Sequence, residues 1–200
     1  MTRRSPWQRA LGGRESALDD ALQAYFAPIP RGSVGRGTGV FADVGTPRRW
    51  LWPVLGLFAR EGIAFPAWER DVPFTVVNRP SESGTLLGTR TFHFPDGDRV
   101  MVDEIGTTRA GLVDRLGRRG TVSVVLVAVV VDGGLTLGSS GATIRIGRVR
   151  IPLGRLSPRV TLSERSADTL QRVSLRIDYP VVGLVYEYAG EFSYRIEEES

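Results

Sequence analysis

The sequence predicts a β-dominated α+β protein: an N-terminal helix, then a curved antiparallel meander or open barrel of about nine strands. Three observations carry that expectation. From residue 71 onward, short apolar runs recur between turn residues. The last two runs alternate apolar and polar side chains with a period of two, which gives one buried and one wet face. No segment after residue 61 has the length and period of a crossover helix, so a parallel nucleotide-binding sheet is not expected.

The elements follow in order. Leu18, Ala21, Leu22, Tyr25 and Phe26 recur at helical spacing, with Asp19, Asp20 and Gln23 on the opposite face. Ser16 and Asp19 resemble a capping pair, and Pro28 and Pro30 end the helix. Residues 31–46 are rich in glycine, with Gly35, Gly37 and Gly39 alternating. Ala42 stands where a dinucleotide fingerprint needs its last glycine, so a turn or irregular strand is expected rather than a phosphate site. Trp50, Trp52, Phe58, Phe65 and Trp68 belong to an aromatic stretch expected to form a short helix and loop that caps the core. If these side chains instead stand contiguous in solvent, they mark a membrane-surface or oligomer contact. The segment carries few basic residues, which weighs against a membrane.

Strands are expected at 74–77, 85–94, 99–105, 111–116, 121–131, 135–146, 160–165, 170–179 and 181–196. Asp132-Gly133-Gly134 joins two of them as a hairpin. Ile144 and Ile146 are out of phase with Val149 and Ile151, so the chain is expected to bulge or break at Gly147. The short turn at 179–182 forces the last two strands to pair. Residues 11–196 therefore read as a single domain, with a helical and loop cap over 11–70 and a sheet over 71–196. A flexible N-terminus at 1–10 and an acidic tail at 197–200 flank it.

Composition removes several chemistries. The chain has no Cys, so disulfides, thiolate nucleophiles and Cys-based metal centres are absent. All 26 cationic residues are Arg. There is accordingly no Lys for a Schiff base or a phosphate-binding loop. The net charge of +4 alternates along the chain: +5 over 1–60, −4 over 61–108, +7 over 109–160 and −4 over 161–200. A nucleic-acid binder gathers its basic residues on one face with stacking aromatics, so no nucleic-acid partner is expected. Residues 1–13 are charged and broken by Pro6, without the apolar core of an export signal. The longest apolar run, 122–131, is about half a membrane-spanning helix. A cytoplasmic protein is expected.

Strand parity nominates three polar residues for the interior. Arg90 shares parity with Phe92 and Phe94, Asp114 with Leu112 and Leu116, and Glu164 with Val160 and Leu162. Buried charges are unfavourable unless paired, so Arg90 is expected within ion-pairing reach of Asp114 or Glu164. Such a cluster suits the polar head of an apolar or amphipathic small molecule. Two inward carboxylates also suit an acid–base pair, and a structural ion pair is the plainest alternative. The single His, His93, falls on the opposite parity and is expected at the surface; it has no second His or Cys for a metal site. Asp96 and Asp98 read as a hairpin turn rather than a Ca²⁺ loop. No cofactor is expected.

Four segments then acquire a joint meaning: Arg90-Thr-Phe92, Leu112-Val-Asp-Arg-Leu-Gly117, Arg150-Ile-Pro-Leu153 and Pro180-Val-Val-Gly-Leu-Val-Tyr-Glu-Tyr-Ala-Gly190. In that order and spacing, from about residue 11 to residue 192, the chain resembles the bacterial domain-of-unknown-function family 4166. The family usually has an aromatic shortly before the Arg-x-Phe, where Gly88 and Thr89 stand here. The resemblance supplies no activity. Some members are fused to reductase-like nucleotide-binding domains, which implies an accessory or substrate-handling role and a reductase-like enzyme partner. The expectation is a non-catalytic binding or accessory module for an apolar or amphipathic small molecule. The alternatives are an enzyme using Asp114 and Glu164, and a protein-interaction module without ligand.

Overall fold

A computed structural model describes residues 4–199. Three α-helices, α1 (Pro6–Leu11), α2 (Asp20–Tyr25) and α3 (Trp52–Glu61), accompany eleven strands. The strands are β1 (Ser33–Gly45), β2 (Trp68–Pro80), β3 (Leu86–Phe94), β4 (Gly97–Thr108), β5 (Gly111–Leu116) and β6 (Val122–Val131), followed by β7 (Gly134–Ile146), β8 (Val149–Pro152), β9 (Arg159–Ala167), β10 (Leu170–Tyr179) and β11 (Gly183–Glu198). Every pairing is antiparallel. The order β6-β5-β4-β3-β2-β1-β11-β10-β9-β7 closes on itself through a β6–β7 pairing, giving a ten-stranded barrel with β8 appended to β7. Closure leaves few free strand edges, the usual hazard of a large antiparallel sheet.

The period-two pattern sets the inside of the barrel. Tyr186, Tyr188 and Phe192 of β11 are buried, while Glu187 and Glu191 on the alternate positions pair with outer-face arginines. At the β6–β7 turn, Asp132 (φ 48°) and Gly133 (φ 75°) both adopt the left-handed conformation that a two-residue hairpin needs. The expected break at Gly147 is the turn between β7 and β8.

Of the two readings of the Gly-rich segment 31–46, the turn is corrected and the irregular strand holds: it is the thirteen-residue strand β1, with a register shift between Phe41 and Asp43, pairing with β2 on one side and β11 on the other. Its glycines answer to bulky neighbours: a Cβ on Gly35 would fall 1.5 Å from the Tyr194 hydroxyl, so the tyrosine lies where a side chain would be. The sheet therefore begins at residue 33, inside the span expected to be a cap.

Both barrel ends are covered. At the end carrying the β2–β3, β4–β5 and β6–β7 loops, the N-terminal helices close the opening. Arg9 donates to the Gly84 carbonyl and to Thr107 Oγ1, and the Asp19 N–H donates to the Gly133 carbonyl. Trp7, Leu11, Leu22 and Phe26 pack there against Ile105, Leu112 and Leu135. Within the segment 1–10 expected to be flexible, residues 6–10 belong to α1; residues 1–3 of that segment, and Ser200 of the expected tail, lie outside the described residues. Pro6 opens α1 instead of breaking a chain, since its fixed φ and missing N–H suit the first helical position. Ser5 caps α1 reciprocally with Gln8 and ties it to α2 by donating to the Phe26 carbonyl at 2.6 Å. The single helix expected near 16–26 is divided into a 3₁₀ turn over Arg14–Ala17 and α2, with no side-chain cap at Asp19. In the acidic tail, Glu197 and Glu198 are the last residues of β11, and Glu197 pairs with Arg36.

At the opposite end, α3 and residues 62–67 form the cover. Gly62 accepts from the Val102 N–H, and Glu61 from the Arg118 N–H. Phe65 is fully buried and Trp52, Phe58 and Trp68 are half-buried, whereas Trp50 projects into solvent with 64% of its surface exposed.

Candidate functional site

Between the aliphatic core under the N-terminal helices and the aromatic core under α3 lies a layer of polar side chains. Register builds it. Gly88 of β3 lies opposite Asp103 of β4, and Arg90 opposite Met101. Asp114 of β5 faces Ile105, and Glu164 of β9 sits between Leu135 and Val173. Gly88, Arg90, Asp103, Asp114 and Glu164, with Asn78, Tyr25, Tyr186 and Tyr188, line one interior cavity of about 100 Å³. That is room for several water molecules or a small organic group.

Arg90, Asp114 and Glu164 thus come together as parity predicts. The expected pairing does not. Arg90 Nη1 bonds Asp103 Oδ1, and this carboxylate is 2% exposed. Asp103 was legible: it shares parity with Met101 and Ile105, as the other three do with their neighbours. The register explains its preference over Asp114 and Glu164, since Asp103 and Arg90 lie diagonally on adjacent strands, within reach of a long side chain. Gly88 makes the room. A Cβ there would meet both Asp103 carboxylate oxygens at 2.8 Å.

The other two carboxyls lack such a partner. Asp114 Oδ1 and Glu164 Oε2 are buried without a hydrogen bond to the protein. Burial, only partly opposed by Arg90, pushes the Glu164 carboxyl up to about 7. Burial and then the nearby Asp103 hold the Asp114 carboxyl well above the usual range, again against the pull of Arg90. Burial works against the Arg90 charge, but Asp103 and then Tyr188 outweigh it and raise its pKa. Burial raises Tyr188 to about 12, and burial followed by Glu164 raises Tyr25. The hydroxyls in this layer are therefore neutral at neutral pH, and Asp114 and Glu164 can donate as well as accept hydrogen bonds.

Tyr25, Asn78 and Tyr188 were missed as site residues. Tyr188 had a signal, the even parity of β11, whereas Tyr25 sits on a helix whose docking no strand pattern reveals. Asn78 donates to the Tyr194 hydroxyl at 3.2 Å, and the Tyr25 ring meets that of Tyr194 edge-on at 4.6 Å. His93 lies on the outer face, sharing a 2.8 Å hydrogen bond with Asp98. Asp96 and Asp98 flank the β3–β4 turn, where Asp96 pairs with Arg99 at 2.5 Å.

A second, open cleft of about 560 Å³ lies outside the barrel wall. Arg115, Arg118, Arg119, Arg145 and Arg150 line it together with Glu104, and it shares Gly88 and Asp103 with the interior cavity. Among the described residues, no group of three or more His, Asp or Glu side chains is placed to hold a metal ion, and no helix is long and apolar enough to cross a membrane.

The family Domain of unknown function (DUF4166) matches residues 18–192. The chain belongs to the DUF4166 family. The match spans the whole barrel apart from the last residues of β11, and it includes Arg90, Asp103, Asp114 and Glu164. α1, which helps close one end of this DUF4166 barrel, precedes it. No curated protein is similar to the chain in sequence.

Proposed function

We propose that this DUF4166 barrel binds a small apolar or amphipathic molecule, with the polar head between Asp114 and Glu164 and the apolar body against the aliphatic wall. One observation carries the reading: two buried carboxyl oxygens without a hydrogen-bond partner in the protein line one cavity that also has a broad aliphatic wall of Leu, Ile and Val. Unsatisfied buried polar atoms are rare in folded proteins and call for an explanation such as a water or a ligand. A head group that donates hydrogen bonds, such as an alcohol or an ammonium, would satisfy both. Arg90, held by Asp103, contributes a positive field that favours the charged form of both carboxyls and so partly opposes the effect of burial. An alternative is acid–base catalysis by Asp114 and Glu164, favoured by the Glu164 carboxyl standing at about 7, near the operating pH of a general acid or base.

The test uses native mass spectrometry of the purified chain, then thermal melts with butyl to hexyl alcohols and amines. A retained small molecule, or a melting rise that grows with chain length and disappears in Glu164→Leu, supports binding. A chain that carries no extra mass and melts unchanged across the series overturns it.

A further inference from the structure

The α3 end of the barrel has a character that the interior site does not use. Trp50, Val54 and Leu57 stand 64%, 50% and 62% exposed at i, i+4 and i+7, which places them on the outward face of the 3₁₀ turn and helix. Hydrogen bonds assemble neighbouring loops around that helix. Arg48 bonds the Val182 carbonyl of the β10–β11 turn. Arg118 bonds the Arg60 carbonyl at the C-terminus of α3, and Arg145 bonds the Arg119 carbonyl, which brings in the β7–β8 hairpin. Two of these loops add exposed apolar residues: Val181 from the first, Ile146 and Val149 from the hairpin. Val181 is fully exposed and sits at φ 69°, a left-handed conformation that a β-branched residue adopts only with strain.

Arginines separate these apolar side chains. Arg49, Arg60, Arg118, Arg119, Arg148 and Arg150 are all exposed, whereas Glu61, the acid at the end of α3, pairs with Arg119 at 3.4 Å. To Arg49 and Arg60, in and beside the aromatic segment, loops distant in sequence add Arg118, Arg119, Arg148 and Arg150. A protein partner also favours aromatic residues and Arg, but it gathers them around a contiguous, fully buried apolar centre. Apolar knobs interleaved with arginines fit a bilayer interface instead, where long basic side chains reach phosphates while their neighbours enter the acyl boundary.

We propose that this end of the barrel seats on an anionic phospholipid surface, with Trp50, Leu57, Ile146 and Val181 entering the headgroup layer and the surrounding arginines, including those of the open cleft, engaging lipid phosphates. The proposal stands apart from the interior site and survives its failure.

Co-sedimentation of the full chain tests it, with phosphatidylcholine vesicles containing about one third phosphatidylglycerol compared with phosphatidylcholine alone. Binding is expected to the anionic vesicles only, weakening with salt. Arg148→Gln with Arg150→Gln, two exposed side chains, should lower affinity roughly thirtyfold, at about fivefold per arginine near an anionic surface. Val181→Gly is the decisive variant: it relieves the backbone strain, so the protein should melt no lower while binding vesicles more weakly. The proposal is overturned by absence of co-sedimentation at low salt, by equal binding to neutral vesicles, or by variants that bind like the parent. A concentration-dependent dimer abolished by Leu57→Ser would overturn it too, since the face would then belong to a second copy.

Discussion

The two sides of the interior polar layer differ in one respect. On the β3–β4 side, Arg90 and Asp103 satisfy each other, and Gly88 vacates the space the carboxylate fills. On the β5–β9 side, Asp114 and Glu164 face the same cavity with oxygens no protein group meets, and burial drives both carboxyls toward the neutral form. A buried charge with a partner is a structural element. A buried carboxyl without one gives up its charge and keeps its capacity to recognise something else. The first side should therefore dominate stability, and the second should dominate pH dependence and ligand response.

The largest expected effect breaks the paired side. Asp103→Asn leaves the Arg90 guanidinium without a counter-charge, and loss of one member of a buried pair destabilises by roughly 3–5 kcal/mol. Urea unfolding at pH 7 measures it, and a change within about 0.5 kcal/mol would show that Arg90 finds another partner.

Glu164→Gln sharpens the contrast. The Glu164 carboxyl rises from an ordinary 4.5 to about 7 in the fold. Between those values the folded chain holds a proton that the unfolded chain has released, so stability falls as pH rises. The contribution is fully present below pH 4.5, lost progressively up to about 7 and gone above it. The whole excursion is about 3 kcal/mol. The glutamine variant should match the parent near pH 4.5, exceed its stability at pH 8, and show a flatter profile. Parallel profiles for the two proteins would show that Glu164 is not the titrating group.

The smallest effect probes the seat of the paired carboxylate. Gly88→Ala places a methyl 2.8 Å from both Asp103 oxygens, for an expected loss of roughly 1–3 kcal/mol from overpacking. Combined with Asp103→Ala, the two losses should sum to less than their separate values, because the second change removes the atoms the methyl strikes. Additive losses would place the strain of Gly88→Ala elsewhere.

These residues also show what could be read in advance. Parity along β3, β5 and β9 was enough to aim Arg90, Asp114 and Glu164 into one interior, because side chains of a half-buried strand can only alternate. The same rule applied to β4 would have found Asp103. It could not say which carboxylate Arg90 would take, because pairing depends on register between strands and on the space beside Gly88. The glycines of β1 left turn and irregular strand open for a related reason: Gly35 gives no sign of which until the Tyr194 ring of β11 is seen lying where its side chain would be.

By itself, then, the sequence determined an antiparallel β-rich chain, the family, the inward aim of three ionisable residues, and the absence of Cys and Lys chemistry. These follow from local periodicity, turn residues, recurring motifs and composition. Only the tertiary structure decided that ten strands close into a barrel, that Pro6–Leu11 helps plug one end, that Arg90 belongs to Asp103, and that distant arginines gather around the exposed face of α3. Each of those depends on contacts between residues far apart in the chain, whose partners are chosen by register, shape and loop closure rather than by neighbouring sequence.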